Sequence, residues 1–501
     1  MGATLWQYVG DGLINSIQLF NLVIMIIGLV VGIIGGMLPG ITVVTAIALF
    51  IPFTFTLPTD SALIALGAIF TGSTYGGANA AILMNTPGQP GSVATTFDGY
   101  SMTRKGEAQD AMLTALFASA FGGLFGVLVL LFFFGPLSSL ALKFGPAAFF
   151  WLAIFGLTTL AAMSPGNVLK GLLGGAIGLA ISTVGLDPIT GSPRFTFGYY
   201  PLIQGFDMVV VMIGIFSFSQ MLVLLEAPDS HIAEYVRRPG AVRRTVSKLW
   251  HGCKRVLIQS SVIGTFIGSL PGAGGSIAAI IAYNEAKRWD RDPSRYGTGI
   301  IEGVAAPESA NNAGVGGALV PLMSLGIPGN AGAAVLMGGL LAQGLIPGPQ
   351  LLENNAQIAY SFISGLIIIN IAMIGVGAVI AKLSAQILRI PKTYIIPTVI
   401  VLAVIGSYAL RNNQFDVIVM LVSGVCAYLL MKIGIHPAPI ALGLVLGPVI
   451  EEALSVSLRL ARAKNSVFDV LVFDPLPAVL IILCIIALLV PVILDRKKAL
   501  K

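Results

Sequence analysis

Charge is what this sequence has least of. Asp, Glu, Lys and Arg make up 10% of its 501 residues, against 56% hydrophobic ones. A soluble chain of this length carries about 25% charged residues, because it must cover its surface with polar groups. That deficit excludes an ordinary water-soluble enzyme. The first Lys or Arg is Arg104, so the apolar N-terminal stretch lacks the basic start of a secretory leader. It also lacks a clear small-residue cleavage site before Gly35, and reads as a retained membrane segment. Cysteine is scarce: Cys253, Cys426 and Cys484 stand apart without metal-ligand spacing, and the last two lie in apolar runs, where they pack rather than react. His231, His251 and His436 are the only histidines and show no metal spacing either. No Gly-x-x-x-x-Gly-Lys-Ser/Thr run is present, which excludes ATP hydrolysis by that route, and no arginine ladder or channel filter appears.

Long apolar runs are what the sequence does have. Leu22–Ile34, Leu113–Phe134, Val209–Leu225, Ile358–Ile380 and Ala478–Leu494 reach, or nearly reach, the length needed to cross a hydrocarbon core of about 30 Å. No polar stretch is long enough to fold as a separate soluble domain. The fold class expected is an all-α polytopic membrane protein of about 12 membrane segments, some of them re-entrant. The net charge of +6 lies mostly in loops, where it orients a chain in a bilayer rather than binding nucleic acid.

The chain also repeats itself. Gly28, Gly32 and Gly36 lead into Leu38-Pro39-Gly40, and Gly264 and Gly268 lead into Leu270-Pro271-Gly272, at an offset of 232. Tyr75-Gly76-Gly77 through Asn85-Thr86-Pro87-Gly88 matches Gly316-Gly317-Ala318 through Gly326-Ile327-Pro328-Gly329 at an offset of 241, the difference being absorbed by a charged insertion around Asn284–Tyr296. Two transmembrane repeats follow, residues 1–226 and 256–501, joined by a basic linker at 227–255 that carries Arg237, Arg238, Arg243, Arg244, Lys248, Lys254 and Arg255. The positive-inside rule puts this linker in the cytoplasm. The start of the first half, free of Lys and Arg, then lies outside, and the halves form an inverted-topology repeat with broken helices. Residues 22–38 with 41–52, and 256–270 with 273–283, read as re-entrant hairpins opening to opposite faces. Asp60–Met84 and Thr298–Leu325 read as their matched crossings.

Four segments are expected to break helical regularity inside apolar surroundings: Leu38–Thr45, Thr71–Asn79, Leu270–Ser276 and Pro307–Gly317. Backbone groups freed by proline and glycine must be buried in protein or line a cavity, since lipid cannot satisfy them. Half-helix N-termini suit a carboxylate, and exposed carbonyls and hydroxyls suit a small cation. The residues expected to bind solute are Pro39, Gly40, Thr42, Thr45, Ser73, Thr74, Asn79, Gly272, Gly274, Gly275, Ser276, Asn311 and Asn312. Those expected to serve a coupling cation are Glu308, Ser309 and Thr71. For Gly28, Gly32, Gly36, Gly264 and Gly268 the preferred reading is plain helix packing. Glu308 has no cation near it in sequence; an intramembrane carboxylate is a functional candidate, with capping of a broken helix end as the structural alternative. Glu302 sits nearer the interface. Arg194 either meets an anionic solute or partner protein, or forms a structural ion pair.

These motifs are similar to those of a known family. The Gly-x-x-x-Gly-x-x-x-Leu-Pro-Gly element, the series Tyr75-Gly76-Gly77, Asn85-Thr86-Pro87-Gly88 and Asp98-Gly99-Tyr100, and Pro307-Glu308-Ser309-Ala310-Asn311-Asn312-Ala313 resemble the large membrane subunit of bacterial tripartite tricarboxylate transporters. Gly344-Leu345-Ile346-Pro347-Gly348-Pro349 and Arg194-Phe195-Thr196-Phe197-Gly198 fit as well, so the resemblance runs over nearly the whole chain. Ile41-Thr42 departs from the glycine-rich continuation seen at Ala273-Gly274-Gly275. The resemblance implies a secondary transporter of the bacterial inner membrane. It would take carboxylate solutes from a periplasmic solute-binding protein, work beside a small membrane subunit and be driven by sodium or protons, with no cofactor. A carrier of another class working alone, and a membrane-embedded enzyme on a lipid-linked substrate, are the rival readings. An enzyme should show an acid/base cluster near an interface.

Overall fold

The computed structural model describes residues 5–38, 40–162, 168–187, 190–226, 241–272, 274–463 and 466–499. The first half begins with α1 (Leu5–Ser16), α2 (Leu19–Met37), α3 (Val43–Thr54) and α4 (Thr59–Met84). A 3-10 turn at Pro90–Ser92 opens α5 (Val93–Arg104), followed by α6 (Ala108–Ala141), α7 (Pro146–Ala162) and α8 (Val168–Ser182). Strands β1 (Gly185–Leu186) and β2 (Pro193–Arg194) pair antiparallel. Then α9 (Met208–Met212) runs through a π-helical stretch, Ile213–Phe218, into α10 (Ser219–Glu226). The second half holds α11 (Ala241–Gly252), α12 (Lys254–Ser269), α13 (Gly274–Arg288), α14 (Ile301–Leu325), α15 (Ala331–Ala342), α16 (Pro349–Ile387), α17 (Lys392–Arg411), α18 (Gln414–Lys432), α19 (Pro437–Ala463) and α20 (Pro475–Ala499). Among the described residues, 7 helices are long and apolar enough to cross a membrane, and shorter apolar helices such as α3, α8 and α15 accompany them. The chain is an all-α polytopic membrane protein.

Two interruptions divide helices at matched places. Leu38 closes α2 in an extended conformation (φ −76°, ψ 128°), and Leu270 closes α12 in nearly the same one (φ −81°, ψ 121°). Gly40 and Gly272 follow at φ +86° and +85°, where a Cβ would clash with the backbone, so glycine is needed at both. Thr42 then caps α3, its Oγ1 accepting from Thr45 N at 3.4 Å. A second matched pair ends the long helices: Asn85 closes α4 at φ 54° and Gly326 closes α14 at φ 74°, both left-handed. One expected boundary moves. Helix α2 starts at Leu19 and has 19 residues, long enough to span, where the sequence suggested a shorter segment beginning at 22.

Two of the four expected breaks are not breaks. Thr71–Asn79 lies inside the continuous 26-residue α4, and Pro307–Gly317 inside the continuous 25-residue α14. Glycine and proline break exposed helices through entropy, lost bonds and competing water. Here both helices are buried almost throughout, so no water competes, and the glycines are sites of helix contact. A Cβ on Gly32 would sit 2.6 Å from Ile69 O of α4, and one on Gly268 would sit 2.7 Å from Gly314 Cα of α14. The packing reading of Gly28, Gly32, Gly36, Gly264 and Gly268 therefore holds. Apolar helices gain nothing by leaving lipid for each other, so backbone approach of this kind supplies the cohesion.

The halves interlock. Along α6, Gly122 and Gly126 press on Ser309 and Ala313 of α14, while Gly365 of α16 meets Ile64 of α4. Each half thus lends its long helix to the crossing helix of the other. At their ends α1 packs on α16 and α11 packs on α6. Of the linker, residues 241–252 form α11, and 227–240, with Arg237 and Arg238, lie outside the described residues.

Candidate functional site

The interruptions converge on one cavity of about 450 Å³. Val43 and Val44 line it from the start of α3, and Gly272, Gly274, Gly275 and Ser276 from the break before α13. Gln89, Pro90, Gly91 and Val93 come from the turn that opens α5, Asn330 to Gly332 from the start of α15, and His436 and Ala438 from the start of α19. Phe70 and Thr74 of α4 and Asn311 and Val315 of α14 form its wall. Five helix N-termini therefore face one space. Each carries about half a positive charge; several of their N–H groups are capped by side chains, and α19 offers in its first turn only that of Ala438, held by His436, between Pro437 and Pro439. None of the described lining residues is acidic. Physically this is a cradle for an anion.

Asn311 is a key part of that wall. A Cβ on Gly91 or on Gly275 would be driven into the Asn311 amide, so the two glycines let the α5 turn and the α13 start close on that side chain. Asn311 Nδ2 also reaches Thr74 O at 3.5 Å, joining the two long helices where the halves meet. Gln89 braces the opposite side: its Nε2 donates to Ser73 O at 3.1 Å and its Oε1 accepts from Val43 N at 3.2 Å. Asn330 caps α15, its Oδ1 accepting from Ala333 N at 2.8 Å. On α3 the run Thr45–Ala48 is buried and Phe53 exposed; on α13 Ala278, Ala279 and Ala282 are buried and Ile280 and Ile281 exposed. The cavity extends along α13 to Ile280, toward the helix end that carries Lys287 and Arg288.

Of the residues singled out in the sequence, Thr74, Gly272, Gly274, Gly275, Ser276 and Asn311 line this cavity. Gly40 packs against Leu224, Thr42 caps α3 beside Val43, and Thr45 donates to Phe216 O at 3.2 Å. Pro39 lies outside the described residues. Ser309 bonds Ser261 Oγ at 2.8 Å and Leu257 O at 3.1 Å, tying α14 to α12. Thr71, Ser73, Asn79 and Asn312 are buried, and the hydroxyls of the first two and both amide atoms of the others have no hydrogen-bond partner among the described residues.

Glu308 is fully buried and lies outside the cavity, one helical turn from Asn311 and Asn312. Thr95 of α5 donates to its Oε1 at 2.5 Å and Ser119 of α6 donates to its Oε2 at 3.1 Å. No described cationic side chain forms an ion pair with it. It sits within a continuous helix, so the broken-end cap is not its role. Glu302 pairs with Arg295 at 3.7 Å, and Arg194 forms the structural pair, with Glu451 and with Asp187 at 3.2 Å.

Gln89, Asn330, His436 and Asp98 were not proposed as site residues. Asn85-Thr86-Pro87-Gly88-Gln89-Pro90-Gly91 aligns with Gly326-Ile327-Pro328-Gly329-Asn330-Ala331-Gly332, so carrying the repeat three residues further would have found the first two. Asp98 accepts from Tyr283 Oη at 2.8 Å and from the backbone N–H groups of Gly297, Gly299 and Ile300 at 2.9, 2.7 and 3.0 Å, clasping α5 to the approach of α14.

A model of the Tripartite tricarboxylate transporter TctA family matches residues 22–442. The chain belongs to this family. It is a transporter family, not an enzyme family, and the resemblance read from the motifs is borne out. Among relatives of this TctA chain is an Agrobacterium vitis protein titled "Uncharacterized 52.8 kDa protein in TAR-I ttuC' 3'region", 36% identical over 486 residues that cover 95% of each chain. A second from the same organism, "Uncharacterized protein in TAR-II ttuC' 3'region", is 35% identical over 237 residues, which is 47% of this chain and 97% of that one. No solved structure matches.

Proposed function

We propose that this TctA protein is the large permease subunit of a binding-protein-dependent secondary transporter, and that the central cavity holds a carboxylate solute. The observation that carries this reading is the convergence of five helix N-termini on a space without an acidic side chain. Such a site stabilises an anion by oriented N–H groups and needs no fixed cation. The halves act as inverted repeats: α2–α3 and α12–α13 are matched hairpins, and the cavity opens along α13 of the second. By the positive-inside rule the open side, toward Lys287 and Arg288, faces the cytoplasm of a bacterium whose inner membrane holds the protein. Glu308 serves the coupling ion, a proton or sodium, because its buried carboxyl group pairs with no described cation and meets only the Thr95 and Ser119 hydroxyls.

Reconstitution tests the reading. The chain, a small membrane subunit and the solute-binding protein are placed in proteoliposomes, and uptake of radiolabelled citrate and succinate is followed under sodium and pH gradients. Uptake should require the binding protein and collapse when either Asn311→Ala or Gly275→Leu alters the cavity. Efficient uptake of free solute without the binding protein would assign the chain to carriers that work alone.

A further inference from the structure

Among the described cavity-lining residues, His436 alone has a side chain that can carry a charge. It directly precedes Pro437, the first residue of α19, and its Nδ1 accepts the backbone N–H of Ala438 at 3.2 Å. That is the work of an N-cap, usually given to Ser, Asp or Asn. The bond also fixes the tautomer. A ring nitrogen that accepts an N–H bears no proton, so the proton of the neutral ring sits on Nε2. A second proton on Nδ1 would break the cap and place a positive charge at the positive end of a helix dipole.

The surroundings act in the same direction. From α8, Lys170 Nζ donates to Ile433 O at 2.6 Å and lies against Gly434, two residues before His436, adding charge of the same sign. Lys432, at the end of α18, is engaged with Glu226. Asp207 is committed to capping α9 through Val209 N and Val210 N. Neither α7 nor α15, which also pack on α19, has a titratable side chain, and none occurs between Leu270 and Ala282 across the cavity. No carboxylate among these elements is placed to hold an imidazolium.

We propose that His436 is a specificity-determining residue of the solute site, a neutral imidazole that donates its Nε2–H to a carboxylate oxygen of the solute. This rests on the reading of the cavity as the solute site. It adds a directional donor from α19 to a cavity also lined by the start of α13. A solute is then read by where its second carboxylate falls, not only by its charge. Nε2 has no hydrogen-bond partner among the described residues, so the bond to solute is made without breaking one in the protein.

The test uses the complete reconstituted transporter with labelled citrate, or succinate if citrate is not taken up. His436→Ala should raise KM by about 10-fold or more, with Vmax changing less, as expected for a hydrogen bond to a charged group. His436→Asn keeps a cap acceptor and an amide donor and should recover most of that loss. The KM–pH profiles of the wild type and His436→Asn should run parallel over roughly pH 6 to 8, where an ordinary imidazole titrates. Profiles that diverge there would mean the imidazolium contacts the solute and would overturn the neutral donor. Lower thermal stability of His436→Ala with unchanged KM would reduce His436 to a cap. If Asn311→Ala raises KM while His436→Ala does not, the inference falls and the cavity reading stands; if neither moves KM, the cavity reading falls first. Should His436→Ala not fold, His436→Asn and the paired pH profiles carry the decision.

Discussion

Glu308, proposed above to serve the coupling ion, gives the sharpest perturbation. An ionised carboxylate taken out of water costs several kcal/mol unless something compensates it. Here the compensation is two hydroxyl donors, Thr95 at 2.5 Å and Ser119 at 3.1 Å. Glu308→Gln removes the charge and keeps the shape, and both hydroxyls can rotate to suit an amide. The variant should therefore fold with a Tm at or above that of the wild type, yet lose the dependence of uptake on the driving cation.

Thr95→Val works in the other direction. The Thr95 hydroxyl stabilises the empty, charged carboxylate, and a hydrogen bond to a charged group contributes about 1.5–3 kcal/mol. Without it the anion is less stable, so the ion that neutralises Glu308 binds more tightly, by roughly 10- to 150-fold. Half-saturation should shift to lower cation activity and turnover should slow, because release becomes harder. The assay is initial uptake in proteoliposomes, titrating sodium at fixed pH and pH at fixed sodium. Wild-type cation dependence in Glu308→Gln would refute the coupling role. A Thr95→Val half-saturation point moving upward would refute the sign of the argument and make the hydroxyl a direct ligand.

Other consequences are independent of coupling. Gly36→Leu should destabilise the protein by about 1–3 kcal/mol, because even a Cβ there meets the Ser73 backbone, whereas Gly10→Ala on α1, with open space around it, should be harmless in a thermal-shift assay. Cys253, at the junction of α11 and α12, has its thiol pushed up to about 12 by burial and by the Glu302 charge. It should resist maleimide at neutral pH while the protein is folded and react once it is denatured. In a background lacking native cysteines, single cysteines replacing Lys248 and Gln350 should label from opposite faces of the membrane; labelling from one face would break the inverted-repeat topology.

Much of the fold was legible because lipid leaves few solutions. Twenty apolar residues in a row can hardly be anything but a helix, and Leu-Pro-Gly inside such a run marks an interruption that must be buried. Gly40 and Gly272, with φ values one degree apart, take the same backbone turn after each Leu-Pro. The same reasoning failed at Thr71–Asn79 and Pro307–Gly317. Local propensity argues for a break there, but each helix is enclosed by partners that reward a straight rod with close backbone contact, and a single sequence does not show those partners. Small residues read as breaks and small residues read as contacts look alike until the neighbouring helix is in place.

His436 was missed for a related reason. A lone histidine before a proline has no metal-ligand spacing to mark it. What gives it a role is the backbone N–H of Ala438 on one side and the cavity on the other, and neither is a sequence pattern. Gln89 and Asn330 differ: they occupy equivalent positions in the two halves, and each holds the start of a helix, Gln89 through Val43 N and Asn330 through Ala333 N. The site thus combines parts held in duplicate with parts that occur once. The duplicated parts build the helix starts and, on the proposed reading, accommodate any small anion. Asn311, which aligns with Phe70 at the 241-residue offset, and His436 have no counterpart of the same chemistry, so discrimination among carboxylates should depend on them. Exchanging the duplicated amides, as Gln89→Asn with Asn330→Gln, should therefore depress uptake of citrate and succinate alike, whereas His436→Ala should change their ratio. An unchanged ratio in His436→Ala, beside a changed one in the exchange variant, would place selectivity in the duplicated frame instead.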